Sequence, residues 1–327
     1  MRIAERRPLP VRLPRVRAGS LIPILVLLAV LLVLVAVRQP GFLAPPSLMS
    51  FLGRSTPIIL LAAGQYFVIV SGEFDLSVGS LVTAQVVVAA RLIDSDPSRT
   101  WPVVALLLAF GVAVGLVNGL VTTRLRVPSF ISTLGMLLIL VGAVYLWSDG
   151  APKGGLSEEF RRFGRRAFED VPALGRVPYA LLVLLAVATL AVLLSRSDFG
   201  RTLAAVGGNP RTAELSGVRV WRAKTIAFVL SGLAAALAAI LLGGYSGVSF
   251  QAGAGLEFAA ITAVVLGGVA LGGGRGSVVG AMLGALTLET LFALLNLYGV
   301  AGALKSTVQG AIILLAVAVS SVRPVSR

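Results

Sequence analysis

The chain has 327 residues, of which 57% are hydrophobic and 13% are charged, and its mean hydropathy is +0.96. Soluble proteins carry about 25% charged residues, so this composition excludes a water-soluble globular enzyme, a disordered chain and a coiled coil. Cysteine and histidine are absent, which excludes disulfides, Cys/His metal sites and imidazole acid–base chemistry.

Apolar stretches free of Asp, Glu, Lys and Arg recur along the whole chain. About 20 apolar residues cross a bilayer, and each crossing must be helical because lipid offers no partner to backbone polar groups. The sequence therefore predicts an all-α integral membrane protein with about ten transmembrane helices in one domain, 18–322. The shortest stretch is 76–90, and Glu289 interrupts one other. The candidate spans are 18–37, 55–72, 76–90, 100–123, 127–148, 177–195, 225–256, 258–274, 276–304 and 306–322.

The basic residues predict the orientation. The tail 1–17 carries six Arg, and no small-residue cleavage site follows the first span, so we interpret that span as a retained anchor. Most of the 28 Lys and Arg residues lie on the tail's side, which favours cytoplasmic tails 1–17 and 323–327. Anionic lipid headgroups attract these loops, and no single basic face suggests nucleic-acid binding.

Two parts of the sequence resemble each other weakly. Residues 67–72 lead to Ser77 and Gly79, and residues 264–268 lead to Ser277 and Gly280. Transporters are often built from duplicated halves with the pathway between them, so the pattern is consistent with a weak internal duplication. A chance match of small and apolar residues explains it equally well.

The hydrophilic segment 149–176 is predicted to lie outside the cell. Ser157 is placed to cap a helix, and Phe160, Phe163 and Phe168 fall on one face of that helix, opposite four arginines. The helix either lies in the lipid headgroup layer or forms a platform for an extracytoplasmic partner.

The segment 196–224 is predicted to be cytoplasmic. Asn209 suits a helix N-cap, Pro210 suits the first helical position and Gly217 suits the residue after the end. We therefore expect a short helix with Ala213, Leu215 and Ser216 available to a partner. It either rests on lipid or docks a cytoplasmic protein.

Little in the sequence indicates catalysis. The stretch 272–276 fits neither a dinucleotide-binding loop nor a Walker A loop, and Gly-Lys occurs nowhere in the chain, so ATP phosphates are not bound in that way. We expect this stretch to form a tight turn between helices. The sequence also predicts no metal or other cofactor bound by the chain itself, since no paired-carboxylate or histidine constellation exists.

Polar residues within the spans require partners or water, because burying them in lipid is costly. The amides have two interpretations, interhelical hydrogen bonds or the lining of a hydrophilic path, which suits a neutral hydroxylated solute. Glu289 is either a proton relay or a structural partner, and Asp75 either caps the third span or acts in transport. The amides are Gln65, Gln85, Asn118, Asn296 and Gln309.

Four segments resemble the permease subunits of bacterial ribose-type ABC importers. Residues 72–79 are similar to the GGIDLSVG signature, with Glu73 and Phe74 as departures, and residues 127–135 are similar to VPxFIxTLG. Residues 200–218 resemble the cytoplasmic loop of that family, and residues 264–278 resemble its VVLGG…GGRGSV block. The resemblance runs from about residue 50 to 320.

The resemblance implies a set of partners and sites. A second permease chain, a cytoplasmic ABC ATPase that binds ATP and Mg²⁺, and an extracytoplasmic solute-binding protein are the expected partners. The segment 200–218 becomes the helix that docks on the ATPase, and 149–176 becomes part of the binding-protein face. The docking residues are Gly200, Arg201, Gly207, Asn209, Pro210, Arg211, Ala213, Glu214, Leu215, Ser216 and Gly217.

Two further sets of residues follow. The first set is a candidate translocation path and the second forms the signature turns. The path residues are Gln65, Asn118, Ser129, Phe130, Thr133 and Asn296. The turn residues are Gly72, Asp75, Ser77, Gly79, Gly274, Arg275, Gly276 and Ser277.

The sequence thus predicts a plasma-membrane permease for a sugar or sugar-like solute, powered by ATP hydrolysis on a partner. One alternative is an ion-coupled secondary transporter or channel that uses Glu289 or Asp75. Another is the same kind of permease moving nucleosides, an autoinducer or branched-chain amino acids. A third alternative, a membrane enzyme, is disfavoured because the sequence contains no constellation of reactive side chains.

Overall fold

A computed structural model describes residues 21–151, 153–300 and 302–322. The expected tails 1–17 and 323–327 lie outside the described residues. The described part contains thirteen α-helices: α1 (Ile22–Arg38), α2 (Pro45–Val70), α3 (Val78–Ile93), α4 (Thr100–Arg124), α5 (Ser129–Trp147), α6 (Glu158–Arg165), α7 (Tyr179–Arg196), α8 (Asp198–Gly208), α9 (Pro210–Leu215), α10 (Val220–Ser246), α11 (Leu256–Leu266), α12 (Val278–Leu297) and α13 (Gly302–Val322).

Ten of these helices correspond to the ten predicted spans. Six are long and apolar enough to cross a membrane: α2, α4, α5, α7, α10 and α12. The other four, α1, α3, α11 and α13, contain shorter apolar segments. The predicted class, an all-α membrane protein, is confirmed, and the number ten is approximate.

The predicted boundaries of two neighbouring spans are wrong. The stretch 225–256 was expected to be one helix, but α10 ends at Ser246, and Gly247 and Gly255 adopt positive φ angles of 81° and 80°. The next helix, α11, has 11 residues and is therefore about 16 Å long, which is half of a bilayer core. Segment 247–255 lies between α10 and α11 without regular helix.

The segment 149–176 contains a helix and most of a β-hairpin. The hydroxyl of Ser157 accepts a hydrogen bond from the Phe160 amide at 3.1 Å, so the predicted cap is confirmed. The placement of Phe168 on the same helix is wrong, because Arg166 is extended and ends α6. Phe168 belongs instead to an antiparallel hairpin formed by β1 (Ala167–Val171) and β2 (Gly175–Pro178).

Helix α10 is the centre of the bundle and packs against α2, α3, α4 and α6. Glycines allow the closest of these approaches: a Cβ on Gly119 would lie 2.7 Å from the Cα of Thr225, and a Cβ on Gly115 would lie 2.8 Å from that of Val229. Lipid removes the hydrophobic driving force between membrane helices, so close van der Waals packing at small residues stabilises such crossings instead. The helix α6 also packs on protein, since Phe160 is fully buried.

The connections between helices meet in two separate groups. At one end, the Gly274 amide donates to the Val70 carbonyl at 2.8 Å, and Lys224 pairs with Glu73. At the other end, the Ser95 amide donates to the Gly155 carbonyl at 2.9 Å, and Thr100 and Ser157 share a hydrogen bond of 2.6 Å. Each group joins only segments that the basic-residue pattern assigns to one side.

Candidate functional site

The segment 196–224 folds into two short helices rather than one. Helix α8 ends at Gly208, and Asn209 has φ −159° and ψ 100°, which breaks the helix before Pro210. The side-chain oxygen of Asn209 accepts a hydrogen bond from the Thr212 amide at 3.0 Å, and Gly217 follows α9 with φ 84°. Both predicted caps of α9 are confirmed, whereas a continuous helix over 200–218 is wrong.

The surface of α9 that a partner could reach contains fewer residues than the sequence predicted. Leu215 is 74% exposed, and Arg211 and Glu214 form an exposed ion pair at 3.3 Å. Ala213 was expected to be available to a partner, but it is buried because it packs into the main hydrophobic core. The other α9 residues are exposed, as is Ser216, which follows the helix.

Helix α8 lies against the backbone of the two signature turns. A Cβ on Gly207 would overlap the Val70 carbonyl and would lie 2.6 Å from the Gly274 amide nitrogen. Near the start of α8, Gly200 packs on the backbone of Leu194, and Arg201 pairs with Asp198. We name the contact of Val70, Gly72, Gly207 and Gly274 the glycine junction.

The two signature turns contact each other at the glycine junction. Gly72 and Gly274 have φ angles of 84° and 74°, values that glycine adopts without strain. A Cβ on Gly273 would lie 2.9 Å from the Cα of Gly72. The Arg275 carbonyl accepts from the Ala270 amide at 3.0 Å and closes the second turn. The two segments that resemble each other in sequence are thus neighbours in space.

The segment 127–135 holds the first signature turn in place. The hydroxyl of Ser129 accepts a hydrogen bond from the Phe74 amide at 3.1 Å, and the hydroxyl of Thr133 accepts one from the Leu76 amide at 3.1 Å. The Leu76 amide would otherwise be buried without a partner, which costs about 1–3 kcal/mol, and the Phe74 amide is partly buried. Two of the motifs that carry the family resemblance therefore bind each other.

Asp75 is at the centre of a buried hydrogen-bond network. One carboxylate oxygen accepts from the Ser77 amide at 3.0 Å and from the Ser77 hydroxyl at 2.6 Å, and the other accepts from Ser231 at 2.8 Å. The Asn118 amide donates to the Ser77 hydroxyl at 2.8 Å. Asp75 thus binds the residue that precedes α3 and, in addition, ties that turn to α4 and α10.

Glu73, a departure from the family signature, pairs with Lys224. Their side chains are 15% and 13% exposed. Lys224 lies near the start of α10, whereas Glu73 lies between α2 and α3. The pair therefore connects the first signature turn to the helix that follows the α8–α9 segment.

The six candidate path residues do not form one surface. Asn118, Ser129 and Thr133 serve the first signature turn, as described above. Gln65 is fully buried in α2, and within the described residues both polar atoms of its side chain lack a hydrogen-bond partner. Phe130 is 56% exposed on α5, and Asn296 is exposed near the end of α12.

Ser231 and Lys224 were missed from the sequence. Serine is common in membrane helices, so Ser231 gave no signal within its apolar stretch. The charge of Lys224 opposes that of Glu73, and both residues lie on the predicted inner side, but only the folded chain brings them together. Among the described residues, no group of three or more acidic side chains is arranged to hold a metal ion.

The chain is similar to known proteins over most of its length. The family model described as "Branched-chain amino acid transport system / permease component" matches residues 47–317. No solved structure matches the chain.

Three curated relatives illustrate the range of solutes. The ribose import permease protein RbsC of Bacillus subtilis (strain 168) is 38% identical over 295 residues, covering 89% of each chain. The galactose/methyl galactoside import permease protein MglC of Escherichia coli (strain K12) is 34% identical over 318 residues, covering 92% of this chain and 94% of that protein. The autoinducer 2 import system permease protein LsrC of Enterobacter sp. (strain 638) is 37% identical over 276 residues, covering 84% and 78%.

Proposed function

Because the chain belongs to the branched-chain amino acid transport system / permease component family, we propose that it is the permease of an ATP-driven bacterial importer for a sugar or sugar-like solute. The relatives named above are import permeases for ribose, galactose or methyl galactoside, and autoinducer 2. The ribose import permease, at 38% identity over 295 residues, supports a monosaccharide as the solute.

ATP hydrolysis belongs to a separate cytoplasmic ATPase, which binds ATP and Mg²⁺. The chain lacks the Gly-Lys pair of a Walker A loop, so energy must enter through a protein contact. The observation that carries the proposal is the position of α9. This capped, exposed helix adjoins α8, and Gly207 of α8 packs on both signature turns. Force on α9 is thereby passed to the start of α3 and to the segment before α12.

The remaining partners follow from the two groups of connections. The group that contains α8 and α9 faces the cytoplasm, together with both termini, and the chain spans the inner membrane several times. The opposite group contains α6 and the β-hairpin and receives the solute-binding protein. A second permease chain completes the membrane unit, and lipid covers the remaining apolar surface.

The docking role is tested with Leu215→Asp. Leu215 is 74% exposed, so the charge does not disturb the core, and we expect at least a tenfold loss of ATP-driven uptake and weaker co-purification with the ATPase. Leu174→Asp is the control for co-purification alone, which it should leave unchanged, since Leu174 is an exposed residue on the opposite group of connections. Undiminished co-purification of the Leu215 variant would contradict the docking role.

A reconstitution experiment tests the energy source. Proteoliposomes containing the complete importer should accumulate D-ribose or D-galactose when ATP and the binding protein are supplied. The chain alone should accumulate neither sugar under an imposed proton or sodium gradient. Uptake by the chain alone along such a gradient would support the ion-coupled alternative.

A further inference from the structure

Segment 247–255 connects α10 to α11, lies between other helices of the bundle and is not itself helical. It begins after α10, whose Tyr245 carbonyl accepts from Arg165 of α6 at 3.4 Å, on the α6 side of the bundle. The Gly253 amide then donates to the hydroxyl of Thr83 at 2.9 Å. Thr83 lies in the first half of α3, whose start is on the other side of the bundle from α6. Irregular backbone at membrane depth is tolerated only where protein buries it or where it lines a water-filled cavity.

A cavity of ≈ 170 Å³ lies between this segment, α3 and α5. It extends from Tyr145, near the end of α5 on the α6 side of the bundle, to Gly79 at the start of α3. A water molecule requires about 10–15 Å³ of such a cavity, so the volume accommodates on the order of ten water-sized groups. That is enough for the ring and hydroxyl groups of one monosaccharide.

The lining offers hydrogen bonds without a free positive charge. Ser80, Thr83, Gln251 and Glu257 contribute polar groups, and none of the described lining residues is basic. The carboxylate of Glu257 packs on Gly79 and brings no positive charge to the lining. Anions therefore lack a counter-charge, whereas hydroxyl groups find both donors and acceptors.

Two aromatic rings bound the cavity near the end of α5. The rings of Tyr145 and Phe250 are stacked, with centroids 4.7 Å apart and planes 29° apart. Phe250 belongs to segment 247–255 and Tyr145 to α5, so a displacement of the segment changes this boundary. Aromatic faces with a few convergent polar groups are the usual lining of a small-molecule site.

We propose that the solute passes through this cavity, and that the cavity accepts an uncharged polyhydroxylated ring of monosaccharide size. This inference rests on the proposed function and adds the location of the path. The cavity uses none of the six path residues expected from the sequence.

The absence of cysteine from the chain makes a direct test possible. Val141→Cys and Leu138→Cys lie on the same helix α5, but only Val141 lines the cavity, although Leu138 is the more exposed at 63% against 38%. The complete importer in proteoliposomes is treated with a membrane-impermeant methanethiosulfonate reagent. We expect the Val141 variant to react at least tenfold faster, because thiols react as thiolates, which form in water.

The effect of thiol modification on uptake tests whether the solute passes through this cavity. Modification of the Val141 variant should reduce ATP-driven uptake of labelled D-ribose and D-galactose at least tenfold, and the Leu138 variant should retain wild-type uptake. Equal labelling rates, or full modification of the Val141 variant with unchanged uptake, would overturn the path.

A second set of variants tests the ring pair. Tyr145→Leu should raise the KM for uptake at least tenfold while binding-protein-stimulated ATP hydrolysis persists, and Tyr145→Phe should stay within about twofold of the wild type. Tyr298→Leu, at an exposed tyrosine after α12, is the control. If the wild-type importer accumulates neither sugar with ATP, the proposed function fails, and the labelling contrast alone then decides whether the cavity holds water. If wild-type uptake is normal and Tyr145→Leu leaves it unchanged, only the path fails.

Discussion

The glycine junction, at one end of the bundle, and segment 247–255, between its helices, both contain backbone outside regular helix, but the surroundings of that backbone differ. At the glycine junction, backbone packs directly on backbone, and the Gly274 amide pairs with the Val70 carbonyl at 2.8 Å. Along segment 247–255, polar and aromatic side chains border a cavity. The first arrangement transmits displacement because it leaves no space, and the second leaves room for a solute.

The largest effect is expected from filling the glycine junction. Gly207→Ala forces a Cβ into the Val70 carbonyl and the Gly274 amide, and overpacking of this kind costs about 3 kcal/mol. We expect ATP-driven uptake to be lost and the unfolding midpoint in detergent to fall clearly.

The neighbouring glycine provides the matched control. A Cβ on Gly208 meets no atom of the described residues within 4 Å, so Gly208→Ala should change stability by less than about 0.5 kcal/mol. Equal losses for both variants would show that the glycine junction is not the tight point of contact.

The next largest effect is expected at Asp75. Asp75→Ala removes three hydrogen bonds and leaves the hydroxyls of Ser231 and Ser77 and the Ser77 amide without their buried acceptor, which costs about 2 kcal/mol. The measurement is the free energy of unfolding in mixed micelles, and uptake should fall in parallel with it. Loss of uptake at unchanged stability would instead assign Asp75 a direct role in transport.

Asp96 is the control for Asp75 because it makes the same local bonds at an exposed position. It accepts from the Ser98 amide at 2.9 Å and from the Ser98 hydroxyl at 2.7 Å. The hydroxyl bond is the main reason that the pKa of Asp96 is below its usual value. Since water replaces these bonds, we expect Asp96→Ala to leave uptake unchanged.

A smaller effect is expected from the Glu73–Lys224 pair. We measure the free energy of unfolding in a double-mutant cycle with Glu73→Gln and Lys224→Met. The cycle should give a coupling energy of about 1 kcal/mol, since both side chains are mostly buried. The same cycle at the exposed Arg211–Glu214 pair should give less than about 0.5 kcal/mol. Equal coupling energies in the two cycles would show that burial does not strengthen the first pair.

The smallest effect on stability is expected in segment 247–255. Gln251 is exposed and borders the cavity, so Gln251→Ala should change the unfolding free energy by less than about 0.5 kcal/mol. If it destabilised the chain as much as Asp75→Ala, the distinction between a packed junction and an open segment would not hold.

The sequence by itself determined the class of the protein and most of its elements. Nine charge-free stretches and a tenth interrupted only by Glu289 predicted the apolar helices, because charge is costly wherever a helix meets lipid. Asn209 and Gly217 fixed both ends of α9, because caps act on the nearest few backbone groups. Four motifs in order were sufficient to indicate the permease family.

Only the tertiary structure decided which residues meet. Ser129 and Thr133, expected along the path, hold the first signature turn through contacts 55 and 57 residues away. Ala213 is buried although its short helix is exposed, and α10 and α11 are separated by a segment that composition alone makes indistinguishable from a span. The physical reason is that lipid exposure, protein packing and cavity lining all select apolar and small residues, so the distinction among them depends on which surfaces come together.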